Sequence, residues 1–191
     1  MFLTSHALSE SSISEAATDL LCANGNGLDP LHYRVNGGGD SMAVEIKVLQ
    51  RGDDSILMNS AKDVFDNPID PELTREFLAD PRHHIAVAID DGLVVGFASG
   101  VHYVHPDKPP ELWINEVGLA PTHRRRGLGK ALLRALFAVG RAHRCTVAWV
   151  LTDRSNAAAM ALYESVGGIE GADNTGLKAT VGYSFALDDK D

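Results

Sequence analysis

Cysteine is nearly missing from this chain: Cys22 and Cys145 are the two among 191 residues. They stand far apart with no Cys-x-x-Cys spacing, which argues against a disulfide scaffold or a zinc site. Basic residues are also short, with 17 Lys and Arg against 26 Asp and Glu, for a formal charge of −9. Proteins that hold nucleic acid neutralise phosphates with a basic surface, so DNA and RNA are poor partners here. A cationic ligand suits this field better. No apolar run approaches the ~18 residues of a membrane span, and the first residues lack the basic region of a secretory signal. What is left, at 45% apolar and 23% charged residues, reads as an ordinary globular protein, soluble and cytoplasmic, with no metal expected. The length suits one domain with an appendage and can hide roughly 70% of the unfolded surface without staples.

The glycine run Asn36-Gly-Gly-Gly-Asp-Ser41 reads as a flexible linker. Before it, Ile13, Ala16, Ala17, Leu20 and Leu21 recur at helical spacing, and Ser12 with Glu15 forms a capping box. Residues 1–41 are therefore expected to be an extension with one short helix, and residues 42–191 the core domain. Val44, Ile46 and Val48 alternate as a strand. Residues 53–65 read as helical, and a further helix is expected from Asp70-Pro71, a cap followed by proline, to about Asp80. Residues 85–89 and 93–101 are strands joined by Asp90-Asp91-Gly92, a hairpin signal. A strand over 112–119 leads to a helix whose face is Leu128, Leu132, Leu136 and Val139. Residues 146–152, apolar on both faces, read as a buried central strand. A helix from Asn156 to Val166 closes at Gly167-Gly168, and 181–187 reads as a last strand. The order predicts an α/β fold, a mixed sheet flanked by helices, in one core domain.

Chemistry concentrates in Val117-Gly-Leu-Ala-Pro-Thr-His-Arg-Arg-Arg-Gly-Leu-Gly-Lys130. A strand ends, a turn with Gly127 and Gly129 follows, and an amphipathic helix begins. Amides at a helix start lack internal partners and carry the positive end of the dipole, so they suit a phosphate. Arg124, Arg125, Arg126 and Lys130 add charge. The dinucleotide fingerprint Gly-x-Gly-x-x-Gly is absent, and a solvated basic turn capping a helix explains the same residues. Asn156, further along, can be a plain helix cap. Tyr163, within the helix it starts, can be a core aromatic with its hydroxyl at the edge.

Taken together, Arg124-x-x-Gly127-x-Gly129 and Asn156, Ala159, Leu162, Tyr163 and Gly167 resemble paired motifs of the GCN5-related N-acetyltransferases, over about residues 43–187. The stretch 111–127 is most similar to aminoglycoside 3-N-acetyltransferases of type I. Those enzymes carry aspartate where this chain has Glu116, and the preceding His105–Glu111 segment, HPDKPPE, is unlike theirs. The resemblance implies a mostly antiparallel sheet and acetyl-CoA as cosubstrate. It implies that backbone groups of Val117, Gly118 and Leu119 pair with the pantetheine arm. Amides from Arg124 through Arg125, Arg126, Gly127, Leu128 and Gly129 to Lys130 would hold the pyrophosphate. Asn156 would contact the pantetheine or acetyl end, and Tyr163 would face the departing sulfur, which a tyrosine can protonate.

An acceptor amine arrives protonated near neutral pH and must lose a proton before attack. Glu116, on the strand beside the cosubstrate, is the expected base, or else a ligand for the cationic substrate. Strand alternation puts it on the opposite face from Val117 and Leu119 unless a bulge re-aims it. Asp153 offers a second carboxylate for substrate, and His102, Tyr103 and His105 lie where a substrate lip would be, Tyr103 being the substrate-binding candidate. The expected activity is acetylation of a primary amine on a small cationic molecule, an aminoglycoside being the sharpest expectation, with a role in antibiotic resistance. Protein N-terminal or lysine acetylation, and an acyl-CoA-binding regulatory module without turnover, are the alternatives. A homodimer is left open.

Overall fold

The computed structural model describes residues 32–35 and 43–170. Within them a six-stranded sheet runs in sequence order: β1 (His32–Val35), β2 (Val44–Val48), β3 (His83–Asp90), β4 (Leu93–Tyr103), β5 (Glu111–Leu119) and β6 (Val147–Val150). Neighbours are antiparallel except β5 and β6, which are parallel. The helices are α1 (Asp54–Leu57), α2 (Pro71–Ala79), α3 (Leu128–Ala142) and α4 (Ala157–Glu164). The mixed, mostly antiparallel sheet flanked by helices is the fold expected.

Local chemistry explains most of these elements. Asp70 accepts hydrogen bonds from the Glu72 and Leu73 amides at 2.7 and 3.0 Å, and Pro71 opens α2 at a position that needs no donor. Asp91 and Gly92 both take positive φ, 49° and 76°, the turn geometry that matches strand twist between β3 and β4. Leu128, Leu132, Leu136 and Val139 are buried along α3, each large side chain contributing about 1.5–3 kcal/mol by leaving water. With Ile46, Val87, Phe97 and Leu112 from the sheet they make one core.

The structure departs from expectation at three places. Only Asp54–Leu57 of the segment 53–65 is helical. Beyond it the chain is captured by β4: the Val94 amide donates to the Asn59 carbonyl at 2.9 Å, and the Ala61 amide donates to the Val94 carbonyl at 2.8 Å. Asp63, at φ 63°, then turns the chain in a left-handed conformation that no helix admits. Among the described residues, the apolar segment 146–152 is a border strand and not a buried central one: Val147–Val150 pair there with β5 alone, and Val147 is 42% exposed. An apolar run is buried only where layers cover both faces, and Trp149 instead packs at a tilt against Trp113 at the rim, ring centroids 4.1 Å apart. Finally, β1 lies within the expected extension, yet it pairs along β2 from His32 opposite Lys47 to Val35 opposite Val44. The helix expected before residue 25, the linker 36–41 and the strand expected at 181–187 lie outside the described residues. Among those residues, no helix is long and apolar enough to cross a membrane.

Candidate active site

Two strands part company on the β6 side of the described sheet. β5 and β6 pair from Glu111 opposite Val147 to Ile114 opposite Val150, and no further. β5 continues to Leu119, bonded among the described residues to β4 alone. Among those residues its other edge is thus a row of backbone groups without a strand partner, which an extended amide-bearing chain can join as an added strand. The register against β4 slips at the same point: Ser99 stands opposite Glu116 while Gly100 stands opposite Ile114, so Asn115 is the extra residue of a bulge.

Beyond the bulge, side chains sort by face. A Cβ on Gly118 would run into the Val64 carbonyl, and would meet the Phe97 ring at 2.6 Å. Gly118 is therefore glycine because the loop after α1, held by Phe65 stacked on Phe97 at 4.0 Å, lies directly against it. Leu119 reaches the other way and comes within 3.5 Å of a Cβ placed on Gly129 of α3.

The turn into α3 is built from unusual backbone. Pro121–His123 form a 3₁₀ turn, Arg125 has φ 62°, and Gly127, at φ 81°, caps α3 without a side chain. Such alternation turns successive amides inward as an anion-binding concavity. The amides of Leu128, Gly129 and Lys130 lie in the first turn of a 15-residue helix that has no acidic residue there. Arg125, Arg126 and Lys130 are exposed around them. Two contacts brace the turn. Arg124 Nε donates to the Leu119 carbonyl at 3.2 Å, and His123 Nε2 lies 3.0 Å from Asp90 Oδ2 on the β3–β4 hairpin. Leu128 faces the core, so only its backbone is available to a ligand. Gly129 has a packing reason: a Cβ there would stand 3.0 Å from Leu162 Cδ2, so its absence lets α4 close against α3.

Glu116 opens to solvent on the face of the 58–69 loop. Partial desolvation, and then the nearby Asp66 carboxylate, raise its pKa above the usual glutamate value. A carboxylate so disposed binds a cation and accepts a proton more readily than an isolated glutamate. The same loop lines a cavity of about 370 Å³ whose wall includes Ser60, Lys62, Asp63 and Asp66. Sequence reasoning missed Asp66, having taken its neighbourhood for the end of a helix; the Asn67-Pro68 pair was the available sign of a loop.

Tyr163 is half-buried against the core, and burial raises the pKa of its hydroxyl, which keeps the proton on at neutral pH. Asn156 does cap α4, its Oδ1 accepting from the Ala159 amide at 3.1 Å, which leaves the carboxamide nitrogen to donate elsewhere. Asp153 spends one oxygen on the Ser155 amide at 2.7 Å, and hydrogen bonding to Ser155 lowers its pKa. Tyr103 does not join Glu116. It stands opposite Glu111 at the start of β5, donating to Glu111 Oε2 at 2.6 Å and accepting from Trp149 Nε1 at 3.0 Å. His102 turns toward His84 and His143 rather than toward a substrate lip.

The profile of the acetyltransferase (GNAT) family matches residues 55–168, from within α1 through α4 and across both motifs. The N-alpha-acetyltransferase RimI of Mycobacterium tuberculosis (strain ATCC 25618 / H37Rv) is 32% identical over 130 residues, covering 67% of this chain and 80% of that protein. An aminoglycoside acetyltransferase, HMB0005, from an uncultured soil metagenomic sample superposes with a TM-score of 0.62 at 21% identity, over 76% of this chain and 99% of that one. The aminoglycoside N-acetyltransferase AAC(6')-Iy, solved in complex with CoA, superposes with a TM-score of 0.57 at 20% identity, over 70% and 91%. The amide-lined turn and the open edge of β5 suit the phosphates and the amide arm of such a ligand. The chain belongs to the acetyltransferase (GNAT) family, an acetyl-CoA-dependent N-acetyltransferase with acetyl-CoA as its cosubstrate.

Proposed function

We propose that this enzyme acetylates the primary amine of a small cationic acceptor by direct attack on the thioester, with aminoglycosides as the leading substrate class. The observation that carries this reading is the placement of Glu116 at the β5 bulge, facing Asp66 and the acidic loop after α1. A cationic amine is drawn to that face and gives up its proton to Glu116, directly or through a water. The neutral nitrogen then attacks the acetyl carbon, the carbon–sulfur bond breaks as Tyr163 gives its proton to the departing thiolate, and the proton shed by the new amide nitrogen restores the Tyr163 hydroxyl.

The cosubstrate lies, in this reading, along the open edge of β5 at Val117, Gly118 and Leu119. Its pyrophosphate sits on the amides from Arg124 to Lys130. Asn156 donates from its free carboxamide nitrogen to the pantetheine or acetyl end. Asp153 contributes charge at the rim through its second oxygen, and Tyr103 is assigned to bracing the β4–β5–β6 end instead of to substrate. The enzyme acts in the cytoplasm, without nucleic acid or membrane as partner. An aminoglycoside acceptor would make it a resistance enzyme.

The 32% identity to an N-alpha-acetyltransferase supports a second reading, in which the acceptor is the α-amine of a protein N-terminus. Thiol release from acetyl-CoA, measured against aminoglycosides, polyamines and N-terminal peptides, separates the two. A kcat/KM for peptides well above that for every small amine overturns the first reading.

A further inference from the structure

Three histidines converge far from the acetyl-transfer site. His84 projects from β3, His102 from β4, and His143 is the C-cap of α3. On the antiparallel ladder His84 stands opposite Gly100, so the position diagonal to it, His102, lies on the same face with no side chain between them. His84 is buried, His102 half-buried and His143 exposed. Each ring offers one nitrogen, and all three of these nitrogens lie within 4.8 Å of one another. The closest pair, His84 Nε2 and His102 Nδ1, are 2.8 Å apart. Ring centroids are separated by 5.0, 4.9 and 4.1 Å.

We infer that His84, His102 and His143 form a binding site for a divalent transition-metal ion of the zinc class. Two nitrogens each about 2.05 Å from a tetrahedral zinc lie about 3.3 Å apart, within the span these rings already cover, so small side-chain rotations suffice. Imidazole is a preferred ligand for this class of ion, and the exposed side at His143 leaves room for a water as fourth ligand. The charges around the cluster permit a cation. Asp80 favours one and Arg82 opposes it, but these two are paired with each other at 2.7 Å. His83, a further titratable neighbour, bears on His84 and on Asp80. The C-terminus of α3, where His143 sits, directs its partial negative charge at the cluster.

The site lies at the end of α3 opposite the Arg124–Lys130 turn, roughly 20 Å along a 15-residue helix. A bound ion therefore cross-links β3, β4 and the end of α3 without touching reactants, and its effect is on stability.

The test uses the full chain with any purification tag removed and with metal stripped by a chelator. Equimolar Co²⁺ should produce intense visible absorption of a tetrahedral site, Zn²⁺ should bleach it, and Zn²⁺ should raise the Tm. His143→Ala removes an exposed ring, so the fold survives. It should weaken Co²⁺ by about 10-fold or more and abolish the rise in Tm. His102→Gln should do the same. Failure of wild type to bind Co²⁺, or a spectrum and Tm shift unaltered in His143→Ala and His102→Gln, overturns the site. Acetyl transfer measured in parallel should be nearly unchanged in His143→Ala.

Discussion

Glu116 stands directly across from Ser99, but the next rung pairs Ile114 with Gly100, so one residue of β5, Asn115, is left out of the ladder. This single slip ends the pairing with β6 and begins the open edge. It also sets the one carboxylate of β5 beyond the slip beside the loop that carries Asp66.

Glu116→Gln keeps shape and hydrogen bonding but removes the basic site. The loss in kcat/KM should be large near pH 7 and shrink toward about pH 9–10, where more of the amine arrives neutral. Asp66 raises the Glu116 pKa, so Asp66→Asn should lower it and move the acidic limb of the pH–rate profile to lower pH. A deficit for Glu116→Gln that stays constant across the range removes it as base.

Tyr163→Phe preserves the half-buried ring and deletes the hydroxyl. It should lower kcat by roughly 10- to 1,000-fold while CoA affinity by calorimetry changes little. Full activity would mean that solvent protonates the thiolate.

Gly127 tests the turn. Nothing lies within 4 Å of a Cβ placed there, so a substitution is opposed by the left-handed backbone and not by a clash. Asn tolerates that backbone better than most residues. Gly127→Asn should therefore weaken CoA only modestly, whereas Gly127→Asp adds a charge that repels the pyrophosphate and should weaken it much further. Salt should narrow the gap. Equal affinities for the two variants would dissociate the turn from the phosphates.

At Gly129 the expected effect is on packing. Gly129→Ala needs a small shift of the Leu162 methyls and gains helix propensity, so its stability should stay near wild type. Gly129→Val overpacks and should cost about 1–3 kcal/mol in denaturant unfolding. Leu162→Ala should recover part of that cost in the double variant. Strict additivity would separate the two residues.

Much of this protein was written locally. The Asp70-Pro71 start, the Asp91-Gly92 hairpin and the stripe Leu128, Leu132, Leu136, Val139 each depend on neighbours in the chain, and each formed where expected. The turn at Arg124–Lys130 and the cap at Asn156 were legible for the same reason: their geometry is set by backbone preferences a few residues long. Tertiary structure alone decided the remainder, because it depends on which distant groups meet. Val94 captures the chain after α1 and so carries Asp66 to Glu116. Leu162 explains why residue 129 has no side chain, and Val64 with Phe97 explains residue 118. His84, His102 and His143 are unremarkable singly along the chain; strand register and the length of α3 bring their nitrogens together. Short-range sterics and hydrogen bonds are encoded in adjacent residues, whereas a shared site arises only when the sheet closes over its core.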